Sequence, residues 1–234
     1  PAIFCPFVCD NNEVKRNYFI MLGAMGLFII LCFSGPLSYF HAILLFILLG
    51  AFLINSYQVG RINKSQIAED LEIAEHAYED LESLPQKPLA TPRSVFYVII
   101  GLAGLVYGAH LLVEGGVEIA HSFKISEAVI GLTIVAIGTS LPELVTTIMA
   151  ARHGHGEVAL GNVIGSNIFN LYAIMGATAA VAPVPIPQEF LDVDLWVMAL
   201  SSVALIPFIV WKIRFTRVIG LVFTGAYIIY LSTL

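Results

Sequence analysis

Charge is what this sequence has least of. Lys, Arg, Asp and Glu make up 12% of its 234 residues, against about 25% in an ordinary soluble domain. With 58% hydrophobic residues and a mean hydropathy of +0.87, the shortage excludes a soluble globule and marks an integral membrane protein. No basic cluster with interleaved aromatics occurs, which excludes a nucleic-acid partner. The three cysteines, Cys5, Cys9 and Cys32, form no paired or zinc-like pattern with the six histidines and read as buried or membrane-edge thiols. No nucleophile–base pair and no metal-binding histidine cluster appears, so the sequence does not read as an enzyme and implies no resident cofactor. No basic n-region of a signal peptide opens the chain. Pro1 stands where a Met would, and the expectation is a cut inside a longer protein.

Long apolar runs are what the sequence has instead. A span needs about 20 mostly apolar residues, and seven candidates meet this: Asn17–Ser34, Leu37–Tyr57, Ser94 to about Ala120, Glu127–Ala151, Val158–Val181, Leu191–Trp211 and Val218–Leu234. The fold class expected is an all-α multi-span bundle. Between the second and third runs lies a polar linker, Gln58–Arg93, holding seven of the 17 acids between Glu69 and Glu82. The chain thus divides into 1–57, 58–93 and 94–234. Ile67, Leu71, Ala74, Tyr78 and Leu81 place one apolar stripe on the acidic linker, as on a surface helix that packs on the membrane part or on a copy of itself. It lacks a D-x-D-x-D-G calcium loop. Ten of the eleven Lys and Arg residues fall on one side of the seven spans, with Lys124 alone on the other. By the positive-inside rule the linker is cytoplasmic and the C-terminus outside. Tyr18, Tyr57, Trp211 and Tyr230 near span ends read as interface anchors.

Two parts of the chain share a layout. Pro183–Leu234 runs proline-rich segment, acidic turn, span, short turn, span. Pro1–Tyr57 runs similarly, with Gly35-Pro36 in the short turn. If these correspond, Ser94–Leu234 is one complete five-span repeat, 1–57 is the tail of an earlier one, and three spans belong upstream of Pro1. A repeat with an odd number of spans inserts in opposite topologies, the arrangement of many secondary transporters.

Chemistry concentrates in Ala136-Ile-Gly-Thr-Ser-Leu-Pro-Glu143. A carboxylate at bilayer depth costs roughly 2.5–3.5 kcal/mol on insertion scales. Pro142 cannot donate to the carbonyl of Gly138, and its ring pushes that carbonyl aside. Carbonyls near Ala136 and Thr139, the Ser140 hydroxyl and the Glu143 carboxylate then form an oxygen-only set suited to hard cations such as Ca²⁺ and Na⁺. The absence of His and Cys argues against zinc or copper. The bland alternative is a kinked structural helix with a packed glutamate. On the next run, Gly161 and Gly165 form a small-xxx-small pair that permits close backbone approach. Asn162, Ser166 and Asn170 share one face. For Ser166 and Asn170 ion ligation is favoured; for Asn162 and Asn167 interhelical hydrogen bonding is the competing reading. Glu114 and Glu118, with His110 and His121, read as a solvated helix face. His153 and His155 read as a plain turn, and His41 and His76 carry no role.

Gly138-Thr-Ser-Leu-Pro-Glu143 followed by Gly161-Asn-Val-Ile-Gly-Ser-Asn resembles the second ion-binding repeat of the cation/calcium exchanger superfamily, in its bacterial and archaeal sodium/calcium antiporter branch. The resemblance implies ten spans in two inverted halves, each supplying a G-T-S-x-P-E helix, with two glutamates facing one Ca²⁺. It implies Glu143 and the Thr139 carbonyl as calcium ligands, and Ala136, Ser140 and Ser166 as sodium ligands. Asn170 stands where some relatives carry Asp. No second G-T-S-x-P-E occurs here, so the partner glutamate is expected in a missing N-terminal half. The transported ions are then Ca²⁺ and Na⁺, and the setting is a lipid bilayer of the cell membrane. Exchange of Ca²⁺ for protons or another cation, or a cation channel, are the rival functions. For the orientation, a cysteine introduced at Lys124 should react with an impermeant maleimide outside intact cells, and one at Lys64 only after permeabilisation. Equal labelling at both positions would reject it.

Overall fold

The computed structural model describes residues 2–3, 6–77, 91–123, 130 and 136–232, the side chains of 62–77, 91–95 and 136–137 excepted. The described part is nearly all helix, and its only β pairing is two isolated bridges. Helix α1 runs Asn12–Phe33. It begins earlier than the apolar run because Asn11 caps it: the Asn11 side chain accepts from the backbone N–H of Glu13 and Val14, and Glu13 favours the positive end of the helix dipole. Gly35 ends the turn at φ +117°, a conformation that favours glycine. Helix α2 runs Tyr39–Ala77 without interruption. The change from apolar to acidic composition at Gln58 is therefore not a helix boundary. Nothing between Gln58 and Ala77 breaks a helix except Gly60, at a cost of only about 1 kcal/mol. Ile67, Leu71 and Ala74 lie on this extension; Tyr78 and Leu81 lie outside the described residues, as does Cys5.

Helix α3 is Thr91–Ser122. The motif segment follows as α4, Ala136–Thr139, and α5, Leu141–Arg152. Helix α6, Gly156–Phe169, continues through a π-helical turn, Asn170–Ile174, into α7, Met175–Val181. A second π-helical turn, Phe190–Asp194, leads into α8, Leu195–Val203, and α9, Ile206–Val210, with the break beside Pro207. Helix α10 is Arg217–Leu231. Among the described residues, five helical stretches are long and apolar enough to cross a membrane: Asn12–Phe33, Tyr39–Arg61, Phe96–Ser122, Gly156–Val181 and Phe190–Val210. Among the described residues the other two of the seven expected spans fall short of that length: 136–152 is cut at Ser140, and α10 has 15 residues. The chain is a multi-pass membrane protein.

The core lies where α1 meets α6 and α8. Tyr18, Leu45, Ile164, Ile168, Leu195 and Ile209 are fully buried there. Tyr18 is thus no interface anchor: its hydroxyl donates to the Ser202 carbonyl at 2.7 Å, which satisfies the one polar atom a buried tyrosine brings. Tyr57 and Trp211 remain largely exposed. Cys9 and Cys32 are buried free thiols, and burial pushes the Cys9 thiol above its usual pKa.

Two antiparallel bridges tie the chain's related parts together. Phe7 pairs with Phe215 through N···O bonds of 3.2 and 2.8 Å, and Leu37 pairs with Val184 through bonds of 3.0 and 2.9 Å. Each joins the lead-in of one helix pair to the turn of the other, and they sit at opposite ends of α1. Phe7 and Leu37 are 30 residues apart, Val184 and Phe215 are 31 apart. The layout shared by 1–57 and 183–234 thus has a physical counterpart in two reciprocal contacts. The Phe7 clasp also reaches α6. Phe7 stacks on Phe215, Asp10 accepts an ion pair from Lys212, and the Asp10 N–H donates to Glu157 at 2.6 Å.

A Cβ at Gly156 would lie 2.3 Å from the Phe7 ring and 2.8 Å from its Cβ, so no rotamer change alone clears it. Gly156→Ala is expected to destabilise the protein by about 1–3 kcal/mol, the usual penalty of overpacking. Phe7→Ala in the same chain should recover part of that loss, since neighbouring sites do not add. Thermal melting in detergent checks both, and full additivity of the two losses would refute the contact.

Candidate ion-binding site

Ser140 is the point at which the motif helix breaks. Pro142 lies in the first turn of α5, where its missing N–H is one of the unpaired donors of any helix start, so the break absorbs the proline. Ser140 caps α5 with its backbone alone: its side chain makes no capping hydrogen bond and is exposed. Gly138 is buried, and a Cβ there would lie 2.0 Å from Val113 Cγ2. Glycine is what lets α4 lie directly on α3 at this point. Thr139 is exposed at the end of α4, and Ala136 begins it.

Glu143 sits in the first turn of α5, one turn past the break. The residue is half-buried, and its Oε2 is fully buried with no hydrogen-bond partner among the described residues. Native structures leave few such atoms. A buried acceptor without a donor costs about 1–3 kcal/mol, more if charged.

Helix α6 turns back against α5 after the exposed His153-Gly154-His155 turn, as expected for those residues. Its residues form three parallel rows of period four. Leu160, Ile164 and Ile168 face the core. Gly161 and Gly165 lie 100° around, off that seam. Among the described residues a Cβ on Gly161 would meet Val14 Cγ2 at 3.9 Å and one on Gly165 nothing within 4 Å, so no close approach at these two glycines is seen among them. The third row, Asn162, Ser166 and Asn170, carries the link to α5. Asn162 Nδ2 donates to Thr146 Oγ1 at 3.1 Å and to Thr147 Oγ1 at 3.0 Å.

That link sets the register of two antiparallel helices. With Thr147 opposite Asn162, one turn back on α5 and one turn on along α6 puts Glu143 opposite Ser166. Thr139 lies beyond the break at Ser140, so this register does not extend to it. Ser166 Oγ donates to Val163 O at 3.0 Å, which leaves its lone pairs available as acceptors. Asn167 Nδ2 donates to the same carbonyl at 2.9 Å, a bond within its own helix.

Asn170 opens the π-helical turn, and its carbonyl accepts from Met175, five residues on. Such single-turn insertions recur at functional sites. A cavity of about 300 Å³ borders Asn170 and Asn167, with Met21, Met25 and Phe28 of α1 on its far wall. Sequence reasoning missed the π turn, for which no residue pattern is diagnostic. It also passed over Thr146 and Thr147, although their spacing of three and four from Glu143 puts them on its helix face.

Glu114 and Glu118 stay on an exposed face of α3, where Glu114 lies 3.8 Å from His110. Among the described residues no group of three or more His, Cys, Asp or Glu converges as a metal site. The hairpin therefore offers one carboxylate, Glu143, with Ser166 one helical turn from the Asn162 link.

Comparison with known proteins identifies relatives of this chain. The sodium/calcium exchanger MaX1 of Methanosarcina acetivorans is 40% identical over 142 residues, 59% of this chain and 41% of that protein. The inner membrane protein YrbG of Escherichia coli is 30% identical over 235 residues, all of this chain and 70% of its own length. Among solved structures, the sodium-calcium exchanger NCX_Mj soaked with 10 mM Na⁺ and 10 mM Sr²⁺ superposes with a TM-score of 0.74 at 28% identity, covering 100% of this chain and 69% of that one. The chain thus spans less than half the length of MaX1 and about two thirds of the other two. Residues 93–234 match the family described as sodium/calcium exchanger protein. That region holds the broken helix, the hairpin and the π turn together, and the chain belongs to the sodium/calcium exchanger family.

Proposed function

We propose that this chain supplies one half of the ion site of a secondary antiporter that exchanges Ca²⁺ for Na⁺ across the cell membrane. The observation that carries the reading is Glu143 Oε2, buried one turn past a helix break with no donor among the described residues. A cation is the partner that such an oxygen lacks. Ca²⁺ takes roughly six to eight oxygen ligands. Glu143 and the Thr139 carbonyl provide part of that shell, and a second glutamate from an N-terminal half provides its counterpart. Na⁺ ions use the Ala136 carbonyl, the Ser140 and Ser166 hydroxyls and the Asn170 amide.

The two cargoes compete for the Glu143 carboxylate, and that competition couples their fluxes. When both glutamates are empty, two like charges face each other at low dielectric, which opposes switching without cargo. Asn170 is neutral, so it contributes an oxygen without deepening the negative potential. Access alternates as one helix group moves against the other around the fixed site. The acidic linker lies on the cytoplasmic side and the C-terminus outside.

In vesicles loaded with Na⁺ and carrying the intact transporter, Glu143→Gln should reduce Ca²⁺ uptake to background while leaving the amount of folded protein unchanged. Normal sodium-driven uptake in that variant would count decisively against the assignment. Asn170→Asp adds a charge next to the same ions and should alter the steepness of the Na⁺ dependence, with a melting temperature close to that of the parent. An unchanged Na⁺ dependence would remove Asn170 from the site.

A further inference from the structure

Helices α5 and α6 bear the residues that must meet, yet two of their buried residues give no directional contact. Ala151 and Ala159 are fully buried, and small apolar contacts of this kind are non-directional. In lipid there is no hydrophobic drive to favour one register of two apolar helices over another, so packing and polar contacts decide. A slip of one residue shifts a side chain by about 1.5 Å along the axis and 100° around it. That would turn Glu143 away from Ser166.

Asn162 supplies the directional term. Its amide donates to two successive hydroxyls, at 3.1 and 3.0 Å. Thr147 is 3% exposed, so its hydroxyl has no water to turn to. Thr146 Oγ1 lies 3.0 Å from both the Pro142 and the Glu143 carbonyls, to which it donates. The amide that donates to Thr146 therefore also orients the hydroxyl that steadies the first turn of α5, where Glu143 sits.

We propose that Asn162 is a positioning residue for cation binding. By clamping Thr146 and Thr147 it locks the one register of α5 against α6 in which Glu143 and Ser166 come level. The inference rests on the reading of Glu143 as a cation ligand, and it assigns Asn162 no contact with the ion.

The test measures Ca²⁺ uptake by the intact transporter, per folded molecule, in Asn162→Ala, Thr147→Val, their double variant, Thr147→Ser and Glu143→Gln. Asn162→Ala and Thr147→Val should each raise the half-saturating Ca²⁺ concentration about tenfold with little change in maximal rate, within the span of coupling energies for residues in contact. The double variant should be no worse than either single one, and Thr147→Ser, which keeps the hydroxyl, should match the parent. A role in folding alone would lower the yield and leave half-saturation unchanged. Should Asn162→Ala fail to accumulate, the contrast of Thr147→Val with Thr147→Ser decides the matter. Parental half-saturation in Asn162→Ala alongside a dead Glu143→Gln would overturn the Asn162 assignment alone. An active Glu143→Gln would instead overturn the ion-ligand reading on which it stands.

Discussion

Oε2 of Glu143 is buried, and none of the described residues donates to it. In water a carboxylate oxygen would be hydrated at no penalty; where protein buries it, that option is gone. The features around it follow from holding such a group in place. Ser140 breaks the helix, so Glu143 falls in the first turn of α5, where backbone dipoles favour an anion. Pro142 costs little because it stands at that helix start. Gly138 brings α4 onto α3 because any side chain there would strike Val113.

Around this hairpin the chain builds a frame from two reciprocal contacts. Phe7 with Phe215, and Leu37 with Val184, each fasten the lead-in of one helix pair to the turn of the other. The clasp at Phe7 extends to Gly156 and Glu157 at the start of α6. The N-terminal segment therefore anchors one end of the α5–α6 hairpin, and α1 backs it through Tyr18, Met21 and Phe28. Among the described residues α3 packs on α4 and α5, and Phe96 to Leu112 is mostly exposed apolar surface.

Much of this was legible in the sequence, for identifiable reasons. Pro142 and Glu143 in an apolar run marked the break and the buried charge, since both are costly in lipid whatever surrounds them. The paired layout of 1–57 and 183–234 was readable from proline and turn spacing. Boundaries were not: Asn11 capped α1 ahead of the apolar run, and α2 ran on past Gln58 because helix propensity ignores the change from apolar to acidic residues. Tyr18 looked like an anchor because composition cannot show that Ser202 would meet its hydroxyl. Gly161 and Gly165 suggested a packing seam on α6, while the core contact among the described residues runs through Leu160, Ile164 and Ile168. The Asn162 clamp needed the hairpin register, which only the fold supplies.

One measurement bears most directly on Glu143 as a cation ligand: an anomalous-scattering map of crystals of the intact transporter soaked in Sr²⁺ without Na⁺. The account predicts a peak at coordination distance, about 2.5 Å, from a Glu143 carboxylate oxygen, weakened when Na⁺ is added. A cation peak elsewhere, with Glu143 turned to lipid or hydrogen-bonded to protein alone, would contradict it.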